Sequence, residues 1–484
     1  MKRSASFLVF LLVTDLVGLG QKTVQEKNDS VFTLVKRYLN ERAVDSLYSL
    51  TGVGFRKQIT EEAFRNVSNN NLFPLGEIKE SSVIKNADKI TFYKVVFLRT
   101  TLTMITGLDS VGKLYTFAFQ PFVDESDRKT SAVGSNNPLA NAQDKFVDSV
   151  ALGYMRRLPP VGLSIGILRA GKTSFYGYGE TVKGNGKIPD AGTLFEIGSI
   201  SKTFTATMLG LAVGEGKLKL DDPVNHYLPD SIPSLQYEGK VATIRMLSNH
   251  TSGIPRMPWH FQATVVNSKD PYASYTMSDL YGFLRVLKLG RAPGSGFEYS
   301  NAAVGLLGTI LQKQYGKSYE ELLLSLVAGP LGMDDTRVNI RRGDSARFAS
   351  GYDDKGNYNG PWNLSAAFAG AGAIRSTVRD MLKYAAAEMG EPGVPGALAR
   401  AMQLTQTETF HDGHNRIGLG WIFLSSGGDD ILFHNGGTGG YRSYIGINVK
   451  KRIAVVLLSN CGIGVDDEGA RLMEWLEEQA LSGF

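Results

Sequence analysis

The sequence predicts an α+β protein built on one antiparallel sheet flanked by helices, with a helical subdomain inserted and a small α+β domain in front. Strand-like segments lie near both ends of residues 145–484, whereas the middle of that region is helical. Residues 21–123 carry helical apolar faces followed by alternating segments at 91–98, 102–105 and 114–122. Residues 124–144 contain almost no large apolar side chain, which is typical of a linker. We therefore predict an accessory domain at 21–123, a linker at 124–144 and a main domain at 145–484.

Composition places the chain among ordinary globular proteins. Of its 484 residues, 43% are hydrophobic and 20% are charged. The net charge of +5 comes from 52 basic and 47 acidic residues, without a long basic run or a basic–aromatic alternation, so we predict no nucleic-acid partner. Cys461 is the only cysteine, and the histidines show no paired metal-ligand spacing. We predict no disulfide, no metal site and no cofactor.

The first twenty residues are interpreted as a signal peptide. Lys2 and Arg3 precede an apolar run at 7–13, and small residues at 18–20 fit a cleavage site before Gln21. A membrane anchor and an ordinary first helix are the alternatives, but the apolar run is far shorter than the ~20 residues of a spanning helix. We therefore expect a periplasmic or secreted protein with no membrane span after cleavage.

Ser199 and Lys202 form the candidate centre of the main domain. An apolar helical face runs from Phe204 to Ala212, which places Ser199 at or near a helix N-terminus. Residues three apart share a helix face, so the lysine nitrogen can reach the serine oxygen. The unpaired N–H groups and positive dipole of the helix end favour negative charge developing beside the serine. The alternative is a serine N-cap followed by a solvated lysine.

Two later stretches complete a pattern. Tyr299-Ser300-Asn301 follows a glycine-rich loop, and His434-Asn435-Gly436 precedes another. Ser-x-x-Lys, Tyr-x-Asn and His-x-Gly, in this order, resemble the three active-site elements of the serine β-lactamase and penicillin-binding-protein superfamily. The tyrosine is similar to that of the class C β-lactamase and D-Ala-D-Ala carboxypeptidase branch. Residues 217–224, 227–229 and 244–255 add to the resemblance.

The resemblance implies the DD-peptidase/β-lactamase fold and acyl transfer through an acyl-enzyme. It implies that the catalytic side chains are Ser199, Lys202 and Tyr299. The substrate-binding residues would be Asn301, His434 and Gly436, and the backbone N–H groups of Ser199 and Gly437 would form the oxyanion hole. Free lysine and tyrosine have pKa values near 10.4 and 10, so neighbouring groups must shift them before either acts as a base at neutral pH.

His434 departs from the better-known members, which have lysine in the third element. An imidazole with an ordinary pKa near 6.5 is mostly neutral at pH 7.4 and holds a carboxylate less firmly than an ammonium does. This weakens the case for a potent β-lactamase but not for a serine hydrolase. If His434 contacts an anionic substrate group, its protonated form should bind that group better.

Residues 166–173 match the nucleotide-binding pattern Gly-x-x-x-x-Gly-Lys-Thr letter for letter. In a P-loop the strand ends before the first glycine and a helix begins at the lysine. Here the apolar alternation continues through Gly166, and β-prone residues follow Thr173. We predict a β-hairpin without ATP binding.

These observations favour an exported serine hydrolase that acts on a small-molecule or peptide substrate: a D-amino-acid peptide, a β-lactam or a small ester. The alternative is a non-turnover protein that uses the same pocket to sense penicillin or peptidoglycan fragments. The sequence leaves the choice of substrate and the oligomeric state open.

Overall fold

The computed structural model describes residues 24–87, 90–122, 133–157, 161–426 and 428–481. The predicted signal peptide and residues 124–132 of the predicted linker lie outside these ranges. The chain divides into two compact units, residues 1–129 and 130–484. Within the described ranges, every helix is too short or too polar to cross a membrane.

The N-terminal unit packs helices against one face of a four-stranded antiparallel sheet of order β1-β2-β3-β4. Its elements are α1 (Val24–Asn40), α2 (Val44–Ser49), α3 (Val53–Gln58), α4 (Glu61–Val67), β1 (Ile78–Ala87), β2 (Ile90–Phe97), β3 (Thr101–Leu108) and β4 (Leu114–Pro121). Val35 and Leu39 of α1 and Val95 and Phe97 of β2 are buried in its core.

Two features of this unit differ from the prediction. β1 was not predicted, because it is an edge strand whose residues beyond the buried Ile78 are largely polar and exposed. Residues 68–71 were not predicted to be helical either, but Ser68–Leu72 forms a π-helical turn that follows α4 directly. In neither place does the sequence show a clear apolar pattern, and backbone hydrogen bonds form the strand and the turn.

The C-terminal unit combines one large sheet with many helices. Its strands are β5 (Leu163–Arg169), β6 (Lys172–Tyr178), β7 (Phe195–Glu196), β8 (Gln236–Tyr237), β9 (Lys240–Val241), β10 (Arg375–Ser376), β11 (Phe410–His411), β12 (Arg416–Ile417), β13 (Ile422–Ser426), β14 (Asp429–Gly437), β15 (Arg442–Asn448) and β16 (Ile453–Ser459). Its helices are α5 (Ala142–Met155), α6 (Ser201–Gly214), α7 (Ile244–Ser248), α8 (Met277–Val286), α9 (Asn301–Tyr315), α10 (Tyr319–Leu323), α11 (Ala369–Gly372), α12 (Val378–Glu388), α13 (Gly396–Thr405) and α14 (Asp466–Leu481).

The large sheet has eight antiparallel strands in the order β11-β12-β13-β14-β15-β16-β5-β6. The pairing of Val456 with Gly166 joins the C-terminal strands to the first hairpin of the unit. Every residue of β16 is buried, and alternate residues enter two different cores. The sheet is therefore covered on both faces. The predicted fold class, with one antiparallel sheet built from both ends of the domain, is confirmed.

The two faces of the sheet carry different helices. Residues from α5 and α14 share one core with Ile453 and Val455, while residues from α6, α12 and α13 share the other core with Ala454 and Val456. Helix α6 is almost entirely buried. A Cβ on its Gly210 would come within 2.8 Å of the backbone of α13, so glycine is required for this close helix contact. The central helix is consequently held from several sides.

Helix α5 begins at Ala142, where the Asn141 side chain accepts a hydrogen bond from Asp144 N. The last residues of the predicted linker therefore form the cap and first turn of this helix.

The hairpin predicted at residues 166–173 is confirmed. Strand β5 runs through Gly166 to Arg169, which pairs with Lys172 at the start of β6. The two loop residues, Ala170 and Gly171, have φ values of 49° and 74°, as a two-residue hairpin turn requires. A Cβ on Gly166 would approach side chains of α12 to 3.2 Å, so helix packing explains this glycine.

We expect the exposed Lys172 to have no nucleotide role. Lys172→Ala should change the free energy of unfolding by no more than about 0.5 kcal/mol. Mg-ATP should leave the melting temperature of both proteins unchanged, whereas a ligand at 100 times its Kd stabilises by about 2.7 kcal/mol. Thermal denaturation measures this, and an Mg-ATP-dependent rise that the variant loses would contradict the hairpin interpretation.

Candidate active site

Ser199 lies in a 3-10 turn, Gly198–Ile200, that leads directly into α6. Gly198 has a φ of 49°, which favours glycine. The preceding residue, Ile197, donates its N–H to Ile374 O at 3.0 Å and accepts a hydrogen bond from Ser443 Oγ at 2.8 Å. The backbone just before the serine turn is therefore held by hydrogen bonds to Ile374 and Ser443.

Lys202 is brought to Ser199 as predicted from the spacing. Its Nζ donates to Ser199 Oγ at 3.0 Å and to Ala371 O at 2.7 Å. Only 1% of the residue is exposed. Burial, assisted by the positive charge of Arg256, holds the pKa of Lys202 well below its ordinary value. This amine can therefore become neutral far more readily than a solvated lysine.

Tyr299 lies beside the same amine. The Lys202 Nζ is 4.8 Å from the centre of the Tyr299 ring, and the Arg256 guanidinium carbon is 5.0 Å from it. Burial raises the pKa of the Tyr299 phenol, and this effect exceeds the opposing influence of Ser199 and Arg256. The phenol therefore keeps its proton at neutral pH.

Asn301 is the first residue of α9, and Ser300 is its N-cap. The amide Nδ2 lies 3.5 Å from Tyr272 Oη and 3.8 Å from Met257 Sδ. The buried Oδ1 has no hydrogen-bond partner within the described part of the chain. Because a buried acceptor without a partner is costly, this oxygen is ready to accept a hydrogen bond from a ligand.

Ser199 and Asn301 line one open cleft. Its lining residues are Gly198, Ser199, Tyr272, Asn301, Trp362, Leu364, Ala371, Gly372, Gly437 and Thr438. Gly437 ends β14, and a Cβ on Gly198 would come within 2.7 Å of the Gly437 nitrogen. The strand end and the nucleophile turn therefore lie side by side at the cleft.

Gly436 requires a correction. The sequence placed it among the substrate-binding residues, but it is buried and does not line the cleft. A Cβ there would come within 2.0 Å of Ile197 O and 2.4 Å of Ser443 Oγ. Glycine is needed at this position because β14 packs directly against the segment that carries the nucleophile.

His434 is enclosed in the folded protein. It is 1% exposed, and its Nδ1 lies 2.6 Å from Asn435 O. Burial, followed by the charge of Lys202, lowers the pKa of His434 to about 3. Its ring centre is 6.4 Å from that of Tyr299. The enclosed imidazole is therefore neutral at neutral pH, and carboxylate binding by its protonated form stays a prediction.

Two residues that sequence reasoning did not assign to the site lie next to Tyr299. The His250 ring centre is 4.5 Å from that of Tyr299, and its Nδ1 accepts the Ser300 N–H at 3.1 Å. His250 has a φ of 63°, an uncommon conformation for a residue with a side chain. Arg256 lies six residues further on. His250 lies within the family-like stretch at 244–255 and Arg256 directly follows it, but only the fold brings them to the tyrosine.

A buried ion pair lies behind the cleft. Arg375 Nη2 is 3.1 Å from Glu196 Oε1, and both side chains are almost completely buried. The Glu196 carboxylate also accepts the Trp362 N–H at 2.9 Å, while Arg375 donates to Trp362 O at 2.7 Å. The strand before the nucleophile is thereby tied to one wall of the cleft.

Metal ligation is not a feature of this site as far as the described residues extend: no three His, Cys, Asp or Glu side chains are grouped to hold an ion. The arrangement is instead a hydroxyl, an amine and a phenol around one cleft.

The C-terminal unit is similar to known proteins. A family model described as Beta-lactamase matches residues 152–479. A β-lactamase from Pseudomonas fluorescens is 28% identical over 349 residues, covering 65% of this chain and 93% of the relative. A D-alanyl-D-alanine-carboxypeptidase/endopeptidase AmpH from Escherichia coli (strain K12) is 26% identical over 332 residues, covering 65% and 82%. A solved class C β-lactamase has a TM-score of 0.62 at 26% identity, covering 71% of this chain and 96% of that structure. The N-terminal sheet domain precedes the matched region.

The two glycines at the end of β14 should respond differently to substitution. Gly436→Ala should destabilise the protein by about 3 kcal/mol or more, because its Cβ would collide with backbone at Ile197. Gly437→Ala is the matched control, since its Cβ meets only the Arg442 side chain at 3.2 Å. Urea unfolding compares the two, and equal stability losses would contradict this packing.

His434 should make the protein less stable in acid. Its folded pKa of about 3 lies below the ordinary 6.5, so its contribution is complete above pH 6.5 and is lost as pH falls towards 3. Between pH 7.5 and 4.5, the free energy of unfolding of the wild type should fall by about 2 kcal/mol more than that of His434→Gln. Urea unfolding at the two pH values, with the exposed His414→Gln as control, measures the difference. Equal acid losses in wild type and His434→Gln would show that His434 protonates freely.

Proposed function

The chain belongs to the beta-lactamase family of serine hydrolases, and from that premise we propose that it is an exported hydrolase that forms an acyl-enzyme on Ser199. The observation that carries the proposal is the 3.0 Å hydrogen bond between Lys202 Nζ and Ser199 Oγ, made by a buried amine whose pKa is lowered. A solvated lysine beside an N-cap serine would have neither property.

The two proton-carrying groups take different parts in the reaction. Neutral Lys202 accepts the proton of Ser199 while Oγ forms a bond to the substrate carbonyl carbon. The bond to the leaving nitrogen or oxygen then breaks, and the proton passes to that atom through the Tyr299 hydroxyl, which remains protonated. Water attacks the resulting ester and gives a proton to Lys202. Lys202 returns this proton to Ser199 Oγ as the bond between Oγ and the acyl carbon breaks and the acid is released.

Backbone and side-chain amides orient the carbonyl group. The N–H groups of Ser199 and Gly437 stabilise the developing oxyanion, and each such donor contributes about 10²–10³-fold in rate. Asn301 Oδ1, which has no partner within the described part of the chain, accepts an N–H of the substrate. These interactions favour a substrate in which an amide or a lactam lies next to the reacting carbonyl group. An ester substrate also fits the site.

The relatives suggest the substrate class. One relative is a β-lactamase and another is a D-alanyl-D-alanine-carboxypeptidase/endopeptidase. We therefore propose a D-amino-acid peptide, a β-lactam or a small ester as the substrate.

Export is proposed on a separate ground. Lys2 and Arg3, the apolar run at 7–13 and the small residues at 18–20 support a cleaved signal peptide and a periplasmic or secreted location.

Ser199→Ala should abolish both covalent labelling by a fluorophosphonate and hydrolysis of a short-chain nitrophenyl ester, because the nucleophilic oxygen is removed. Intact-protein mass spectrometry and absorbance measure the two effects. The matched control is Ser278→Ala, an exposed position in the first turn of α8, which should retain both activities.

The same mass spectra separate turnover from binding. Incubation with a penicillin and with the nitrophenyl ester should give an acyl adduct that disappears as product accumulates over many equivalents. A stoichiometric adduct that never turns over would favour the sensing alternative. Full labelling of Ser199→Ala would contradict the nucleophile assignment.

A further inference from the structure

An open groove lies between the β5–β6 hairpin and helix α12 of the C-terminal unit. Its volume is about 430 Å³, which is within the range of ligand-binding sites. Apolar side chains from the hairpin and the helix line it, namely Leu168, Phe175, Leu382 and Ala386. The groove shares no lining residue with the cleft at Ser199. It is therefore a separate surface feature, and the proposed reaction does not use it.

The strand that borders the groove, β6, is the last strand of the large sheet and pairs with β5 on one side only. On its other side, Asn136 N donates to Gly177 O at 3.2 Å, and Asn136 Oδ1 accepts the Gly177 N–H at 2.7 Å. Backbone groups of an antiparallel strand point alternately towards and away from the partner strand, so Thr173 and Phe175 also direct theirs outward. Within the described ranges, no hydrogen-bond partner meets these two residues on that side.

This free edge is regular enough to accept another strand. β6 pairs with β5 without a bulge, whereas β1, an edge strand of the N-terminal sheet, has two irregularities in its pairing, and bulges protect a sheet edge. The side chains of Thr173 and Phe175 line the groove, so alternate side chains of an added strand would lie over the same groove. In this mode of recognition the backbone hydrogen bonds supply affinity and the side-chain pockets supply specificity.

Arg379 supplies a cation at the groove. The described residues offer its exposed side chain neither an ion pair within 4.0 Å nor a hydrogen bond. The other charged residues of the lining are already engaged, because Lys383 Nζ lies 3.2 Å from Asp380 Oδ1 and Glu391 pairs with Arg452. The guanidinium of Arg379, whose fork of N–H donors suits a carboxylate, is therefore left to a ligand or to solvent.

The position of Arg379 in α12 also favours an anionic ligand. It is the second residue of an eleven-residue helix, where the positive end of the helix dipole favours anions and not cations. A Cβ on Gly166 would lie 3.2 Å from Leu382 and 3.3 Å from Val378, and Gly166 pairs with Phe175. The positive start of the helix is therefore level with the free edge, so a strand added there would have a cation beside it.

We propose that the groove between β6 and α12 binds a short extended peptide that adds a strand to the large sheet. The peptide pairs with the outward backbone groups of Thr173 and Phe175, packs an apolar side chain against Leu382, and directs a carboxylate to Arg379. That carboxylate belongs to an acidic side chain or to the C-terminus of the peptide. The chain thus has a docking surface for another protein, and this inference does not depend on the hydrolase function.

Three fluorescein-labelled peptides test the proposal by fluorescence anisotropy with the full chain. They are Glu-Thr-Val-Thr-Leu-Thr-amide, Thr-Val-Thr-Leu-Thr-Glu-amide, and Thr-Val-Thr-Leu-Thr-Val with a free C-terminal carboxylate. Each has a neutral partner, in which glutamine replaces glutamate or an amide replaces the free carboxylate. At least one charged peptide should bind about tenfold more tightly than its neutral partner, as expected for a hydrogen bond between charged groups. The peptide that does so identifies the source of the carboxylate.

Two variants separate the charge from the strand edge. Arg379→Gln should remove the preference for the charged peptide, whereas Arg400→Gln, which removes an exposed charge from α13, should retain it. Thr173→Pro removes one outward N–H, which an edge strand tolerates, and should weaken the charged and the neutral peptide alike. Thr173→Val keeps that N–H and should bind both peptides as the wild type does. The melting temperature of each variant shows that it is folded.

Methylation of the peptide backbone tests strand addition independently. Only every second amide of an added strand faces β6, so N-methyl groups on one alternate set should abolish binding and those on the other set should not.

Several results would overturn the proposal while leaving the hydrolase function intact. They are the absence of saturable binding up to about 1 mM for all three peptides, equal affinities for every charged peptide and its neutral partner, and equal effects of the two N-methyl sets. A dimer of the chain that dissociates in Thr173→Pro would assign the groove to a second copy and would also overturn it. Labelling of Ser199 by a fluorophosphonate measures the hydrolase function separately.

Discussion

The structure of the active site depends on the burial of Lys202 without a carboxylate partner among the described residues. Its amine instead donates to Ser199 Oγ and to the carbonyl oxygen of Ala371. Removing an ammonium from water costs several kcal/mol unless it is paired, so the folded protein favours the neutral amine. The packing of α6 on all sides, which a solvent-facing helix would not need, creates this condition. The lowered pKa of Lys202 is therefore a consequence of how the helix is enclosed.

The same principle governs the groups around Tyr299. His434 and His250 are buried next to the lysine, and burial lowers the pKa of both imidazoles. Neutral rings can pack beside the tyrosine without adding charge to a site that already contains an amine. His250 also fixes the backbone of the second element by accepting the Ser300 N–H. The guanidinium carbon of Arg256 lies 5.0 Å from the centre of the same tyrosine ring.

The ion pair of Glu196 and Arg375 explains how distant segments keep their positions. Strand β7 precedes the nucleophile, β10 lies 179 residues later in the chain, and the pair joins them at 3.1 Å in the interior. Both side chains also bind the backbone of Trp362, which lines the cleft. Loss of one partner of a buried pair costs about 3–5 kcal/mol because the other charge is left behind. The pair therefore restrains the cleft wall and the nucleophile turn together.

The sequence by itself determined the fold class, the hairpin at residues 166–173, and the encounter of Lys202 with Ser199, because periodicity and i, i+3 spacing act over short distances. Tertiary structure decided the rest. Gly436 looked like a substrate contact until the approach of Ile197 O showed that it is a packing glycine. The neutrality of His434 depends on burial, which no local pattern contains. Arg256 was not distinguished in the sequence from other surface cations, because a residue's charged neighbours are set by which distant segments the fold brings together.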